Sequence, residues 1–288
     1  MYSTAIITSL TLLLYLCVLE LSQCYVNVAL NKPTYQKFPY IPGDDTYDSG
    51  NAVDGLKADL TWNGGQCVYS FYEETPTWWV NLTNILSIHH ITIYFMTGNF
   101  PWGLSNPYTS SFLGFSLYVS NTTDISQGIL CFKDNNFTKR TIPAVFTTNC
   151  SIPGQYVIYY NERLLNGSYP IDYSAHTQIN LCEVEVYGCP TNGYYGINCS
   201  SPCPDINCQY CHIETGTCQG CKPKYRGHQC ELDVFMAERD TDVKISKNFP
   251  QNRIEYLQCF VCISSLTAIP NIFYINGENV LICEQTEI

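Results

Sequence analysis

Apolar residues in this chain come in short runs, not in long helical stripes. Residues 89–95 (HHITIYF), 113–120 (LGFSLYVS), 155–161 (QYVIYYN) and 182–188 (CEVEVYG) are rich in Val, Ile, Tyr and Phe. Within them 116–120 (SLYVS) and 183–187 (EVEVY) alternate as a half-buried strand does. Turn signals separate the runs: PGDD at 42–45, NGG at 63–65, TGN at 97–99 and IPGQ at 152–155. With no sustained 3.6-residue period, residues 25–188 are expected to be all-β, as one sandwich or barrel-like domain. A domain of that size buries enough surface to hold itself together.

The two ends of the chain differ from this. Ala5 to Leu19 is apolar and uncharged, and ELSQC at 20–24 puts Ser22 and Cys24 before a cut. Residues 1–24 therefore read as a signal peptide, because a run of about fifteen residues is short for a membrane span. Residues 189–230 carry eight cysteines and few apolar side chains, so bridges must replace a core there. Residues 231–288 begin charged and end weakly apolar, and no fold is assigned to them. The uncharged stretch from Leu257 to Ile275 holds Gln258, Pro270 and Asn271, which makes it a poor span, and no membrane tether is evident. A tail that belongs to a damaged gene model, with an anchor lost after Glu231, is the alternative.

Composition narrows the function. The chain has 14 basic and 25 acidic residues, a formal net charge of −11, which opposes binding to a phosphate backbone. Aromatics make up 14% of it, and an acidic, Tyr-rich chain suits cations and sugars better than nucleic acid. Its 17 cysteines, less Cys17 and Cys24, fall into three blocks. Cys67, Cys131, Cys150 and Cys182 lie in the β region, eight crowd between Cys189 and Cys230, and Cys259, Cys262 and Cys283 form an odd tail. An oxidising, extracellular compartment follows, with two stapled modules. The odd thiol leaves room for an oligomer.

The β region resembles the F-type lectin family, the fucolectin and tachylectin-4 group. The resemblance rests on 27–36 (NVALNKPTYQ), 51–55 (NAVDG), 78–82 (WWVNL), 154–160 (GQYVIYY) and 181–188 (LCEVEVYG), in that order. NAVDG and WWVNL alone also fit the related discoidin domains, and GFSLYVSNTT at 114–123 is typical of chains in which this domain precedes EGF-like repeats. It implies a β-sandwich jelly roll with a structural Ca²⁺. The ion would meet the carboxylates of Asp54 and Glu183 and backbone oxygens of Asn51, Leu56 and Cys182, with Gln66 where the family often has Ser. Such an all-oxygen set suits a hard cation, and Asp54-Gly55 is a turn dipeptide able to curl carbonyls inward. The resemblance also implies bridges Cys67–Cys182 and Cys131–Cys150.

Fucose-binding members hold the sugar with one His and two Arg. Those positions fall on Tyr69, Met96 and Ser111, so the charge-assisted donors of the family mode are missing. Tyr69, Phe71, Tyr72, Trp62 and Trp102 lie in or near the same loops, and Tyr69 and Trp102 are expected to be exposed there for a sugar ring or apolar patch.

Residues 189–230 resemble the EGF-like repeats of multiple-EGF scavenger receptors, through GYYGINC at 193–199 and KYRGHQC at 224–230. That pattern pairs Cys203–Cys211, Cys208–Cys218 and Cys221–Cys230, with Cys189–Cys199 closing a truncated preceding repeat. Spacing alone leaves connectivity open.

Other motifs lose to their context. CQYCH at 208–212 matches a haem attachment pattern, and the two CxxC pairs at 208–221 could suggest zinc. Inside an eight-cysteine ladder both read as disulfides, and His212 as a surface residue. His89 and His90 should alternate faces of a strand and so cannot share one ion. HExxH, GxSxG and P-loop patterns are absent, and the chain reads as a non-enzyme. Sequons at Asn121, Asn136 and Asn166 are expected to carry glycans; Asn81 follows the WW strand and should be too buried, and Asn149 and Asn198 have Cys in the middle position.

The expected function is a secreted or cell-surface recognition protein whose lectin-like head binds a glycan or glycoprotein in innate recognition or adhesion. The alternative is a scavenger-receptor-like adhesion protein that binds protein or lipid surfaces and keeps only a vestigial sugar pocket.

Overall fold

A computed structural model describes residues 25–233 and the strands 270–275 and 278–283. The signal peptide assigned to 1–24 and the cysteines Cys259 and Cys262 lie outside the described residues.

The chain from Tyr25 to Gly188 forms strands β1 (Val26–Asn27), β2 (Thr34–Gln36), β3 (Thr77–Phe95), β4 (Ser116–Ser120), β5 (Ile129–Lys133), β6 (Val145–Asn149), β7 (Pro153–Tyr160) and β8 (Leu181–Gly188). They pack as an all-β sandwich. Strand β3, 19 residues long, belongs to both of its sheets. Its first half pairs antiparallel with β2 and with β7, Thr77 facing Tyr160 and Asn81 facing Tyr156. Its second half pairs with β6 and β8, Thr92 facing Glu185 and Tyr94 facing Glu183. Between them the register is interrupted from Asn81 to Leu86, and Thr83 takes φ 72°. A strand that changes sheets needs such an irregular corner. β4 and β5 extend the first sheet, and β1 lines the edge of the second.

Alternation decides what faces the core. Trp78, Val80 and Leu82 point inward, while Trp79 lies on the outer face, stacked on Tyr35 at 5.4 Å. Inward residues of the other strands, among them Ile91, Ile93, Phe95, Phe115, Leu117, Val157, Tyr159, Val184 and Val186, complete a buried core. Because β3 starts at Thr77, turns at Thr83 and returns at Phe95, both its ends lie at one end of the sandwich. Leu181 and Lys133 mark the same end through their pairing. This is the loop end; the corner at Thr83 marks the base.

From the base the chain continues through Cys189, buried, into a disulfide-rich segment. It contains β9 (Tyr194–Tyr195) with β10 (Ser201–Pro202), β11 (Cys208–Cys211) with β12 (Cys218–Cys221), and β13 (Tyr225–Arg226). Bridges Cys189–Cys199, Cys203–Cys211, Cys208–Cys218 and Cys221–Cys230 hold it. Its own apolar centre is little more than Cys203, Cys208, Cys211 and the flanks of Tyr195 and Cys218. Ser87 Oγ donates to the Cys211 carbonyl at 2.8 Å, which seats it on the sandwich base, and the chain through Glu231 forms one compact unit. Six bridges among the described residues suit an extracellular setting.

A second unit begins at Leu232, with β14 (Leu232–Asp233), β15 (Pro270–Ile275) and β16 (Glu278–Cys283). β15 and β16 pair antiparallel, Ile275 facing Glu278 and Pro270 facing Cys283. No fold was assigned to 231–288 from the sequence, and Asn276-Gly277 is in sequence terms a two-residue hairpin signal. Among the described residues no helix is long and apolar enough to cross a membrane.

The expectation that His89 and His90 alternate faces fails. The β3–β8 register slips between Ile88 and His90, and the two imidazoles meet with Nδ1 atoms 2.8 Å apart.

Candidate functional site

Two short turns open the loop end. Asp44 Oδ1 accepts from the Thr46 amide at 2.9 Å and Asp48 Oδ1 from the Gly50 amide at 2.7 Å, capping the 3₁₀ turns Asp45–Tyr47 and Ser49–Ala52. Asn51 Nδ2 donates back to the Asp45 and Thr46 carbonyls at 3.0 and 3.1 Å. The buried Trp78 indole donates to the Ser49 carbonyl at 3.0 Å, fastening these turns to the core. The chain then crosses the outer face of the second sheet. Gly55 adopts φ +82°, the left-handed region open to glycine, and its amide donates to Glu183 Oε2 at 3.1 Å. Asp54 Oδ1 accepts from the Leu56 amide at 2.8 Å.

Beneath this crossing, Glu183 and Glu185 stand two residues apart on the outer face of β8. Glu185 binds Lys57 Nζ at 2.5 Å, and the same ammonium lies 4.6 Å from the Tyr94 ring centroid. Glu183 is fully buried, and its Oε1 has no hydrogen-bond partner. Burial pushes its carboxyl up to about 8, with the Asp54 charge adding to the rise and the Gly55 amide opposing it. Burial likewise raises Asp54. The bridge Cys67–Cys182, spanning 115 residues, ties the next loop to β8 one residue before Glu183. By chain entropy a closure of that length contributes on the order of 4–5 kcal/mol. Gln66 Oε1 accepts from both Ala58 and Asp59 amides at 2.9 Å, so its side-chain oxygen holds the loop. Asp54, Gly55, Cys182 and Glu183 thus meet, with Asn51 and Gln66 bracing the turns around them. The second head bridge, Cys131–Cys150, lies elsewhere, between β5 and the end of β6.

An aromatic cluster sits beside these turns. Tyr40 contacts Tyr47, Tyr69 and Phe71, each at 5.1 Å between centroids, and Trp62 stacks on Tyr47 at 6.0 Å and meets Tyr69 at 5.8 Å. Tyr69 is half-buried at its centre, whereas Trp62, Phe71 and Tyr72 are 39%, 49% and 62% exposed. Next to it a recess of about 340 Å³ is bounded by Phe38, Ile41, Thr34, Ser49, Asp44 and Asp48. Tyr40 and Tyr47 were missed from the sequence: they flank the turn at 42–45 and nothing local pairs them with Tyr69.

Three expected pocket residues are corrected. Met96 is fully buried, because its amide pairs with the Asn180 carbonyl and the side chain turns into the core. Trp102 is half-buried against that core, parallel to Phe95, with its indole N–H on the Ile142 carbonyl at 2.7 Å. Ser111 is buried and donates to Tyr108 at 2.7 Å. None of the three lines an open site. The sequon residues Asn121, Asn136 and Asn166 are exposed, while Asn81 is half-buried with its oxygen engaged by Thr83 and Gln155.

No family model matches the chain, and no curated protein matches it. Solved structures similar to it include a fucolectin from striped bass (Morone saxatilis) serum, 22% identical with a TM-score of 0.43 over 58% of this chain and 50% of that one. The match therefore spans half the length of that fucolectin. The lectin domain of lectinolysin complexed with Lewis B antigen is 17% identical, with a TM-score of 0.41 over 56% of this chain and 96% of that one. Chitosan-binding module 2 of a Paenibacillus sp. IK-5 chitosanase/glucanase, in complex with chitotriose, is 19% identical, with a TM-score of 0.38 over 56% and 100%.

Proposed function

We propose that this is an extracellular glycan-binding protein whose loop end presents an aromatic platform stiffened by a structural Ca²⁺. The observation that carries the reading is the ring cluster around Tyr69, open to solvent at Trp62 and Phe71 beside a recess that offers carboxylate and hydroxyl oxygens. Ring faces suit the apolar face of a pyranose, and the oxygens suit its hydroxyls. The His and Arg anchors of the F-type mode fall on Tyr69, Met96 and Ser111, so a neutral glycan held without charge-assisted donors is the ligand class.

The residues fit the ion. A fully buried carboxylate with an orphan oxygen, adjacent to a second carboxylate, is costly to ionise unless a cation arrives, and Lys57 is committed to Glu185. Asp54 and Glu183 would hold Ca²⁺, with carbonyls of Asn51, Leu56 and Cys182. The ion supplies charge compensation and loop rigidity, not bond-making chemistry. The disulfide-rich segment, EGF-like in its cysteine pattern, would space the head in recognition or adhesion.

Glycan-array binding of the full secreted chain, with and without chelator, tests this. Binding to neutral glycans should persist at high salt, because no ion pair carries it. Phe71→Ala should weaken it at least about tenfold with an unchanged melting temperature, the loss of one good stacking contact. Millimolar Ca²⁺ should raise the melting temperature of the wild type by roughly 5–10 °C and leave Asp54→Asn unmoved. Silence on a broad array from folded, Ca²⁺-supplied protein overturns the reading.

A further inference from the structure

At the base of the sandwich, away from the platform, the register slip in β3 brings two imidazoles edge to face, 87° between their planes. His89 Nδ1 and His90 Nδ1 lie 2.8 Å apart. Tyr25 stacks on His89 at 4.4 Å and Tyr187 on His90 at 4.5 Å, so both rings are clamped. The remaining nitrogen of His89, Nε2, is 3.2 Å from Glu214 Oε1, which belongs to the disulfide-rich segment. The other polar links at this junction do not titrate: Ser87 Oγ on the Cys211 carbonyl, and the Cys189 amide on the Ser87 carbonyl.

Counting protons shows what the pair tolerates. When both rings are neutral, His89 donates Nε2–H to Glu214 and accepts at Nδ1 from His90. One added proton is accommodated: the pair then carries three ring protons, and a single N–H still lies between the two Nδ1 atoms. A second proton leaves two N–H bonds aimed at each other, and two cations in contact. The groups facing the pair are few. From β8 come Glu185 and Tyr187, from the N-terminal segment Tyr25, and from the disulfide-rich segment Glu214, with His212 behind it accepting the Glu214 amide. Opposite His90 on β6 stands Asn149, which is neutral.

We propose that the His89–His90 pair, with Glu214, is an acid-sensitive latch: it seats the disulfide-rich segment on the sandwich base at neutral pH and releases it once both rings are protonated. Burial and the neighbouring His89 hold His90 below the ordinary histidine range, with Glu185 opposing. The seated form therefore disfavours the second proton. Its stability is intact above the ordinary histidine value of about 6.5 and is lost as pH falls below it.

Hydrogen exchange on the full chain at about pH 7.5 and about pH 5, corrected for the intrinsic rate, tests the latch. Peptides covering Ser87–His90 and Cys211–Glu214 should lose about tenfold protection in acid while Val157–Tyr159 keeps its own. His90→Gln retains an N–H toward His89 without titrating, and should abolish the acid response. Glu214→Gln, on an exposed loop, removes the charge that favours protons in the seated form, so that form resists acid less well and the midpoint should move up by about half a pH unit. Equal protection at both pH values in the wild type, or acid opening that survives in His90→Gln, overturns the proposal. Should His90→Gln fail to fold, an unmoved midpoint in Glu214→Gln overturns it equally.

Discussion

Glu183 shows how one side chain records its surroundings. Glutamate in a strand with alternating Val is ordinary, yet here the loop through Gly55 covers it and leaves Oε1 without a partner. Its carboxyl holds a proton up to about 8 in the folded chain, against about 4.3 in an unfolded one. The native state thus binds more protons across that window, and stability falls as pH rises through it, levelling above about 8. With chelator present, the calorimetric melting temperature of the wild type should therefore drop between about pH 4.5 and 8 more steeply than that of Glu183→Gln. Parallel slopes for the two proteins would sink this account of the buried carboxyl.

Strand β3 carries more of the structure than any other element, since each of its halves serves a different sheet. Its first half was legible as WWVNL, where alternation separates Trp78 in the core from Trp79 outside. The switch of sheets was not legible, because Thr83 at φ 72° is a β-branched residue where sequence rules expect glycine or asparagine. Trp78 also couples core to site through its bond to Ser49. Trp78→Phe should cost about 2–3 kcal/mol from the cavity and the stranded carbonyl. It should also weaken Ca²⁺ binding by loosening the turns before Asp54. Denaturant melts with and without Ca²⁺ check both effects; a full stability loss with unchanged Ca²⁺ response would separate core from site.

The molecule as a whole pairs a sandwich that is stable through its core with a segment stable through its bridges. Mild reduction should therefore unfold residues 189–230 first, while the head keeps its β-sheet circular dichroism, because its core outlasts the loss of its two bridges. Mass-spectrometric thiol labelling should find Cys203 and Cys221 before Cys67 and Cys182, which are nearly inaccessible. Acid release at the His89–His90 junction belongs to this scale too, since it changes how the segment sits without altering either part. By itself the amino-acid sequence determined the all-β class, the exposure of Asn121, Asn136 and Asn166, and the strands of alternating pattern. These depend on local propensity, periodicity and spacing, which neighbours in the chain set. Only the tertiary structure decided that Met96, Trp102 and Ser111 are shielded and that Tyr40 and Tyr47 join Tyr69. The same holds for the contact of two adjacent histidines that strict alternation keeps apart. Each of these depends on a bulge, a buried hydrogen bond or a loop crossing between residues far apart in the chain, and no local pattern encodes them.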